Sequence, residues 1–302
     1  MKNKADREKP SRQSRTPHPA RTALRGLLLA ALVLATWVGL LLLDGSSNRL
    51  AVIEDACDAL GSRYDGHLVG SFGHLATLSF YPAHHMTTGE GGALVTSDAH
   101  LAQIARSVRD WGRDCQCTHD SPPHGACGRR FEWQIPGLDE PYDHRYLFVE
   151  IGYNLKMTDV QAAIGLAQMD KLPGFGEARR RNFRRLYQAL KPYEEFLILP
   201  EWSERADPSW FAFPVTVRPQ APFTRHALMS WLEARNIETR VLFAGSIVRQ
   251  PGFSHIQHRT VGSLPNSELV LRSTFFVGVY PGLDDARLSY MCQAFDDFLG
   301  RL

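Results

Sequence analysis

Val52-Ile53-Glu54-Asp55 and, further on, Ser79-Phe80-Tyr81-Pro82-Ala83-His84-His85-Met86-Thr87-Thr88-Gly89-Glu90-Gly91-Gly92 decide the fold. Residues 50–53 form a short apolar, partly β-branched run that stops at Glu54-Asp55, and residues 74–80 read as a second strand ending just before Pro82. Apolar runs that end in polar groups are the pattern of buried strands in a covered sheet. A third strand, residues 93–96, is entered through the turn-rich Thr88-Gly89-Glu90-Gly91-Gly92. That turn lacks the Lys-Ser/Thr pair of a phosphate-binding loop.

Outward from this core, residues 99–109 have a helical pattern, and residues 112–145, rich in Gly, Pro, Cys and Asp, read as a long irregular loop. Loops of that length are usually functional or pinned by something. Thr158-Asp159-Val160-Gln161 is a capping box that opens a helix, which Pro173 is expected to close. A following helix over 176–190 carries Arg179-Arg180-Arg181, read as a solvated face. Beyond it, strands over 211–217, 239–243 and 275–280 alternate with helices over 225–235 and 284–298, which suggests a smaller α/β unit.

The 302 residues include 34 Lys/Arg and 32 Asp/Glu, a formal charge of +2, but the charge is uneven. Residues 1–25 are a basic leader with eight Lys/Arg against Asp6 and Glu8, so the remaining residues hold 26 against 30. The body is acidic, which speaks against a nucleic-acid partner. Residues 26–43 are uncharged and mostly Leu, Ala and Val, near the minimum length of a membrane-spanning helix. They are expected to be a single-pass anchor, unless the leader is an artefact of the reading frame.

Five cysteines occur, at 57, 115, 117, 127 and 292. Cys115 and Cys117, one residue apart, are poorly placed to bridge each other and well placed to ligate one ion or cluster. Four thiolates suit either a [2Fe–2S] cluster or structural zinc, and the absence of paired Cys-x-x-Cys knuckles leans toward iron–sulfur. Cys292, mid-helix in an apolar stripe, reads as a core thiol. A reduced-thiol site belongs in the cytoplasm.

The segment from Val52 to Gly92 resembles the DegT/StrS-type nucleotide-sugar aminotransferases, and most of residues 50–300 agree with them. The resemblance implies fold type I of the pyridoxal phosphate enzymes, with a large domain truncated at its N-terminus (48–175) and a smaller C-terminal α/β domain (176–302). It also implies that Asp55 pairs with the cofactor's pyridinium nitrogen and Ser79 helps hold its phosphate. Asn154, in Gly152-Tyr153-Asn154-Leu155-Lys156-Met157, would reach the phosphate in a partner subunit, hence a homodimer. Five residues after Ser79 the family carries the lysine that binds the cofactor covalently. Here that residue is His84, and no lysine lies between Lys9 and Lys156.

An imidazole cannot form an imine with an aldehyde, so the cofactor form left is non-covalent pyridoxamine phosphate, with His84 free as a base near neutral pH. Tyr81-Pro82-Ala83-His84-His85 is similar to the CDP-4-keto-6-deoxyglucose 3-dehydrase branch of lipopolysaccharide sugar biosynthesis. That branch implies a [2Fe–2S] cluster on Cys57, Cys115, Cys117 and Cys127, although the gap before Cys127 is longer than the resemblance implies. It further implies a nucleotide-sugar substrate that loses its 3-hydroxyl and an NAD(P)H-dependent flavin/iron–sulfur reductase as electron donor. Asp58 would orient His84, whereas His85 reads as a bystander.

Two alternatives are weighed against this reading: a nucleotide-sugar aminotransferase, and a membrane-tethered metal-binding module without catalysis. The family's segment before residue 50, which supplies part of the cofactor pocket, is replaced here by the leader and the apolar run, and weak or absent activity is expected.

Overall fold

The structure, a computed structural model, describes residues 42–44, 49–115 and 130–302. The described residues open with two paired antiparallel strands, β1 (Leu42–Asp44) and β2 (Arg49–Ala51). Leu42 and Leu43 are therefore extended, which shortens the apolar helix expected over 26–43; its other residues lie outside the described ones. Among the described residues, no helix is long and apolar enough to cross a membrane.

The run expected as one strand over 50–53 is divided at Val52 between β2 and β3 (Ile53–Asp55). Val52 N–H bonds His74 Nδ1 at 3.0 Å, and its carbonyl accepts from His74 N, which pulls the backbone out of a continuous ladder. A short hairpin follows, β4 (Arg63–Tyr64) with β5 (His67–Leu68). Next come β6 (Leu75–Ser79), β7 (Gly92–Val95) and the helix α1 (Ala99–Arg109). Strand β6 pairs parallel with β3 and antiparallel with β7. The register sets Ile53 against Leu75 and Asp55 against Thr77, so Asp55, Thr77 and Ser79 gather at the same C-terminal end of the parallel pair. In open α/β sheets ligands bind outside that end.

Helix α2 (Asp159–Met169) begins with the expected capping box, Thr158 Oγ1 accepting from Gln161 N. Gln161 Nε2 also donates to Glu90 O at 2.9 Å and ties α2 to the Gly-rich turn before β7. The next helix, α3, spans Leu172–Leu190 with Pro173 in its first turn. Pro173 thus starts α3 rather than closing α2: its missing N–H falls where a helix leaves its first donors unused anyway. Residue 176, expected as the start of both helix and domain, lies inside α3.

The C-terminal half adds β8 (Leu197–Ile198), β9 (Ala206–Asp207), β10 (Ala212–Val217), α4 (Arg225–Glu233), β11 (Thr239–Val241), α5 (Pro265–Ser273), β12 (Thr274–Gly278) and α6 (Asp285–Leu299). Its sheet, in the order β11-β12-β10-β8, is antiparallel throughout. Along β10 the alternation buries Phe213, Val215 and Val217. They pack with Phe183, Leu186 and Leu190 of α3, Leu228 and Leu232 of α4, and Leu288 and Phe295 of α6 in one core.

Candidate active site

The strand end and the loop after it are held by a dense set of hydrogen bonds. Glu54 accepts from the N–H groups of Gly70, Phe72 and Gly73 at 2.5–2.6 Å and fixes the chain entering β6. Ala56 N–H bonds Thr77 O at 3.0 Å. Asp55 Oδ1 accepts from Cys57 N (3.2 Å) and Thr77 Oγ1 (3.3 Å), and the residue is exposed. Ser79 Oγ accepts from Tyr81 N at 3.3 Å and keeps its own hydroxyl hydrogen to donate. His84 follows in a turn closed by its N–H on Tyr81 O.

The structure brings His84 to Asp58, with Nε2 3.2 Å from Oδ1. The pair is close but not aligned as a hydrogen bond, and Asp58 Oδ1 and His84 Nδ1 each lack a hydrogen-bond partner among the described residues. Burial pushes the Asp58 carboxyl above its ordinary range, with His84 pulling the other way. The imidazole is walled by two rings edge-on, Tyr81 at 5.5 Å and Phe211 at 5.4 Å between centroids. Phe211 comes from the segment leading into β10, so the C-terminal half contributes to the site.

His85 is 2 % exposed, and its Nε2–H donates to Ser209 O. Burial above all, and then the Arg179 cation, pulls its pKa down to about 4. Unfolded, the same ring titrates near ~6.5. The unfolded chain therefore binds this proton first, and stability should fall as pH drops from 6.5 towards 4, by about 3 kcal/mol in full. Urea titrations of the wild type and His85→Gln across that window check this; equal pH slopes in the two would disprove it.

Arg179 corrects the reading of Arg179-Arg180-Arg181 as a solvated face. Arg181 is exposed, but Arg179 is 2 % exposed, one turn before Phe183 on the buried stripe of α3. Three consecutive residues on a helix point about 100° apart, so such a run need not share one face.

Asn154 is exposed on a separate segment and bridges to Asp110 beyond α1, with no hydrogen bond to Asp55, Ser79 or His84 among the described residues. Of the four proposed cluster ligands, Cys57 and Cys115 are free thiols, while Cys117 and Cys127 lie outside the described residues. Cys57 Sγ lies 3.5 Å from Thr77 Oγ1, and burial pushes its pKa up to about 11. No group of three or more His, Cys, Asp or Glu able to hold a metal occurs among the described residues. Sequence patterns assign no role in the site to Tyr81, Phe211 or Arg179. Tyr81 nevertheless stands in the quoted motif, and Phe211 in Asp207-Pro208-Ser209-Trp210-Phe211, which resembles the C-terminal domain of the 3-dehydrase branch.

Residues 45–296 match the DegT/DnrJ/EryC1/StrS aminotransferase family. The chain belongs to that family. It is 47% identical over 252 residues to the lipopolysaccharide biosynthesis protein RfbH of Salmonella typhimurium, covering 83% of this chain and 57% of that protein. It is also 47% identical over 254 residues to a dTDP-4-dehydro-2,6-dideoxy-D-glucose 3-dehydratase of Saccharopolyspora spinosa, covering 84% of this chain and 54% of that one. In three dimensions it matches an E. coli GDP-4-keto-6-deoxy-D-mannose-3-dehydratase with bound hydrated PLP, at a TM-score of 0.69 and 24% identity, over 83% of this chain and 61% of that one. The fold is that of the family, fold type I, and the chain spans little more than half the length of these relatives.

Proposed function

We propose that this chain carries the catalytic residues of a 3-dehydratase that removes the 3-hydroxyl of a CDP-4-keto-6-deoxyhexose, with pyridoxamine phosphate bound non-covalently. The observation that carries the reading is His84, a base unable to form an imine, at the cofactor position, beside Asp58 and close in the fold to Asp55. The 3-dehydratase of Saccharopolyspora spinosa, 47% identical over 254 residues, supports it. The absence of any lysine from residue 10 to residue 155 opposes the aminotransferase alternative.

The residues present suit the cofactor. Asp55 offers an exposed carboxylate at the strand end, suited to a ring N–H, and Ser79 a hydroxyl hydrogen for a phosphate oxygen. Asn154 would act on the phosphate in a second copy. The exposed apolar residues Ile151, Val160, Leu166 and Met169 suit burial against that copy. When bound, the cofactor supplies an amine for the 4-keto carbon and an electron-accepting ring. Asp58, 3.2 Å from Nε2, is the carboxylate placed to orient the imidazole of His84, which would take up and return a proton. Tyr81 and Phe211 narrow the water around it. Cys57 and Cys115 would supply two of the four thiolates of a cluster, with Cys117 and Cys127 the other two.

The test is anaerobic purification with iron, sulfide and cofactor analysis, then incubation with pyridoxamine phosphate, the CDP-4-keto-6-deoxy sugar, and NADH with a flavin/iron–sulfur reductase to supply the two electrons. Slow loss of the 3-hydroxyl, read by mass spectrometry, is the expected result. Iron and sulfide in equal amounts would support the four-cysteine cluster. Zinc alone, without turnover, would favour the non-catalytic module, and covalently bound PLP would overturn the proposal.

A further inference from the structure

We propose that Arg179 is a positioning residue that sets the His84 imidazole against the Phe211 ring. The proposal rests on the reading of His84 as the base. The guanidinium makes three hydrogen bonds to the protein: Nη1 to Trp210 O at 3.1 Å, Nη1 to Phe211 O at 2.9 Å, and Nη2 to His84 O at 3.3 Å. Two of those carbonyls belong to the residues whose rings meet edge-on, and the third is the neighbour of Phe211. A single side chain from α3 thus joins the loop after β6 to the segment entering β10, at the point where imidazole and phenyl ring touch.

The chemistry of the clamp suits that role better than general stabilisation of the core. A cation 2 % exposed is expensive to bury without a carboxylate in direct contact, and Arg179 has no ion pair within 4 Å among the described residues. Its charge is spread instead over backbone carbonyls, with Asp58, which itself faces His84, the acid that most favours it electrostatically. The fixed fork of a guanidinium can hold several carbonyls in one geometry. A lysine ammonium on a flexible stem cannot do so. The Nε atom has no partner, so every hydrogen bond of the group goes to these three backbone atoms. Phe183, one turn further along α3, stacks on Trp210 at 3.7 Å and holds the same segment from its side-chain face.

Histidine-selective carbon-13 NMR of the chain without cofactor or substrate tests the proposal. The His84 Cε1–H signal is assigned by its loss in His84→Asn. Phe211→Leu removes the ring current and moves that signal. Arg179→Gln is expected to move it in the same direction, and the double variant no further. Arg181→Gln, on the exposed face, is expected to leave it in place. If Arg179→Gln does not fold, Arg179→Lys keeps the charge but cannot hold all three carbonyls, and it carries the same expectation of a shift. An unmoved His84 signal in any folded Arg179 variant overturns the proposal. Covalently bound PLP would overturn the 3-dehydratase reading but leave this measurement standing.

Discussion

His84→Asn should lower the rate of 3-hydroxyl loss by about 10²–10⁴-fold, the usual contribution of a positioned general base. Asparagine fills much of the space of the imidazole and keeps polar atoms beside Asp58, but it cannot take up a proton at neutral pH. The loss should therefore fall on kcat rather than on substrate or cofactor binding. Asp58→Asn should have a smaller effect of the same kind, because its proposed role is to orient the ring, 3.2 Å from Nε2, and not to touch the reacting atoms. The fold should survive His84→Asn: the ring is partly exposed and its backbone carbonyl, the atom Arg179 holds, is unchanged. Rates from stopped assays, with cofactor retention measured in parallel, decide the matter. Activity of His84→Asn within tenfold of the wild type would remove His84 from the role of base.

The parts of this site that lie close in sequence are legible without the structure, and the parts that come from afar are not. Asp55, Asp58, Ser79 and His84 stand on two strands and the turns after them, and the parallel register Asp55–Thr77 is what gathers them. Phe211 and Arg179 enter from the C-terminal half, and nothing in their local sequence says which loop they will meet. Helix α1 is readable to the residue, because its pattern is bracketed by Asp98 as cap and Asp110 at the end. Strand β10 is readable from its strict alternation. Pro173 misleads because proline ends one helix and begins another with equal ease, and only the apolar stripe of α3 tells which. Helix α5 escapes the pattern: it is nine residues long, begins at a proline, and none of its residues is fully buried. The antiparallel order of the second sheet depends on pairing between distant strands, which periodicity does not encode. The cluster reading rests on spacing in a loop of which residues 116–129 lie outside the described ones.

Phe183→Ala is expected to destabilise the chain by about 3–5 kcal/mol, the range for removing a large buried aromatic ring. Phe183 is fully buried on α3. Its ring is stacked on Trp210 at 3.7 Å with planes 4° apart, leans on Phe213 at 4.8 Å, and meets Trp202 edge-on at 5.7 Å. Such contacts add to the simple burial of apolar area. Truncation would leave a cavity that the β10 sheet cannot close, because Phe213 and Val215 are fixed by pairing with β12. For a domain with a total stability of about 5–15 kcal/mol the loss is a large fraction. It should appear as a lower urea midpoint with little change in slope. The substitution should also reach the site, since Trp210 loses its stacking partner while its carbonyl still depends on Arg179. The His84 signal should therefore shift in Phe183→Ala even where the protein is fully folded. A loss below about 1 kcal/mol would mean that the core relaxes around the gap, and that the Trp210–Phe211 segment is held by Arg179 alone.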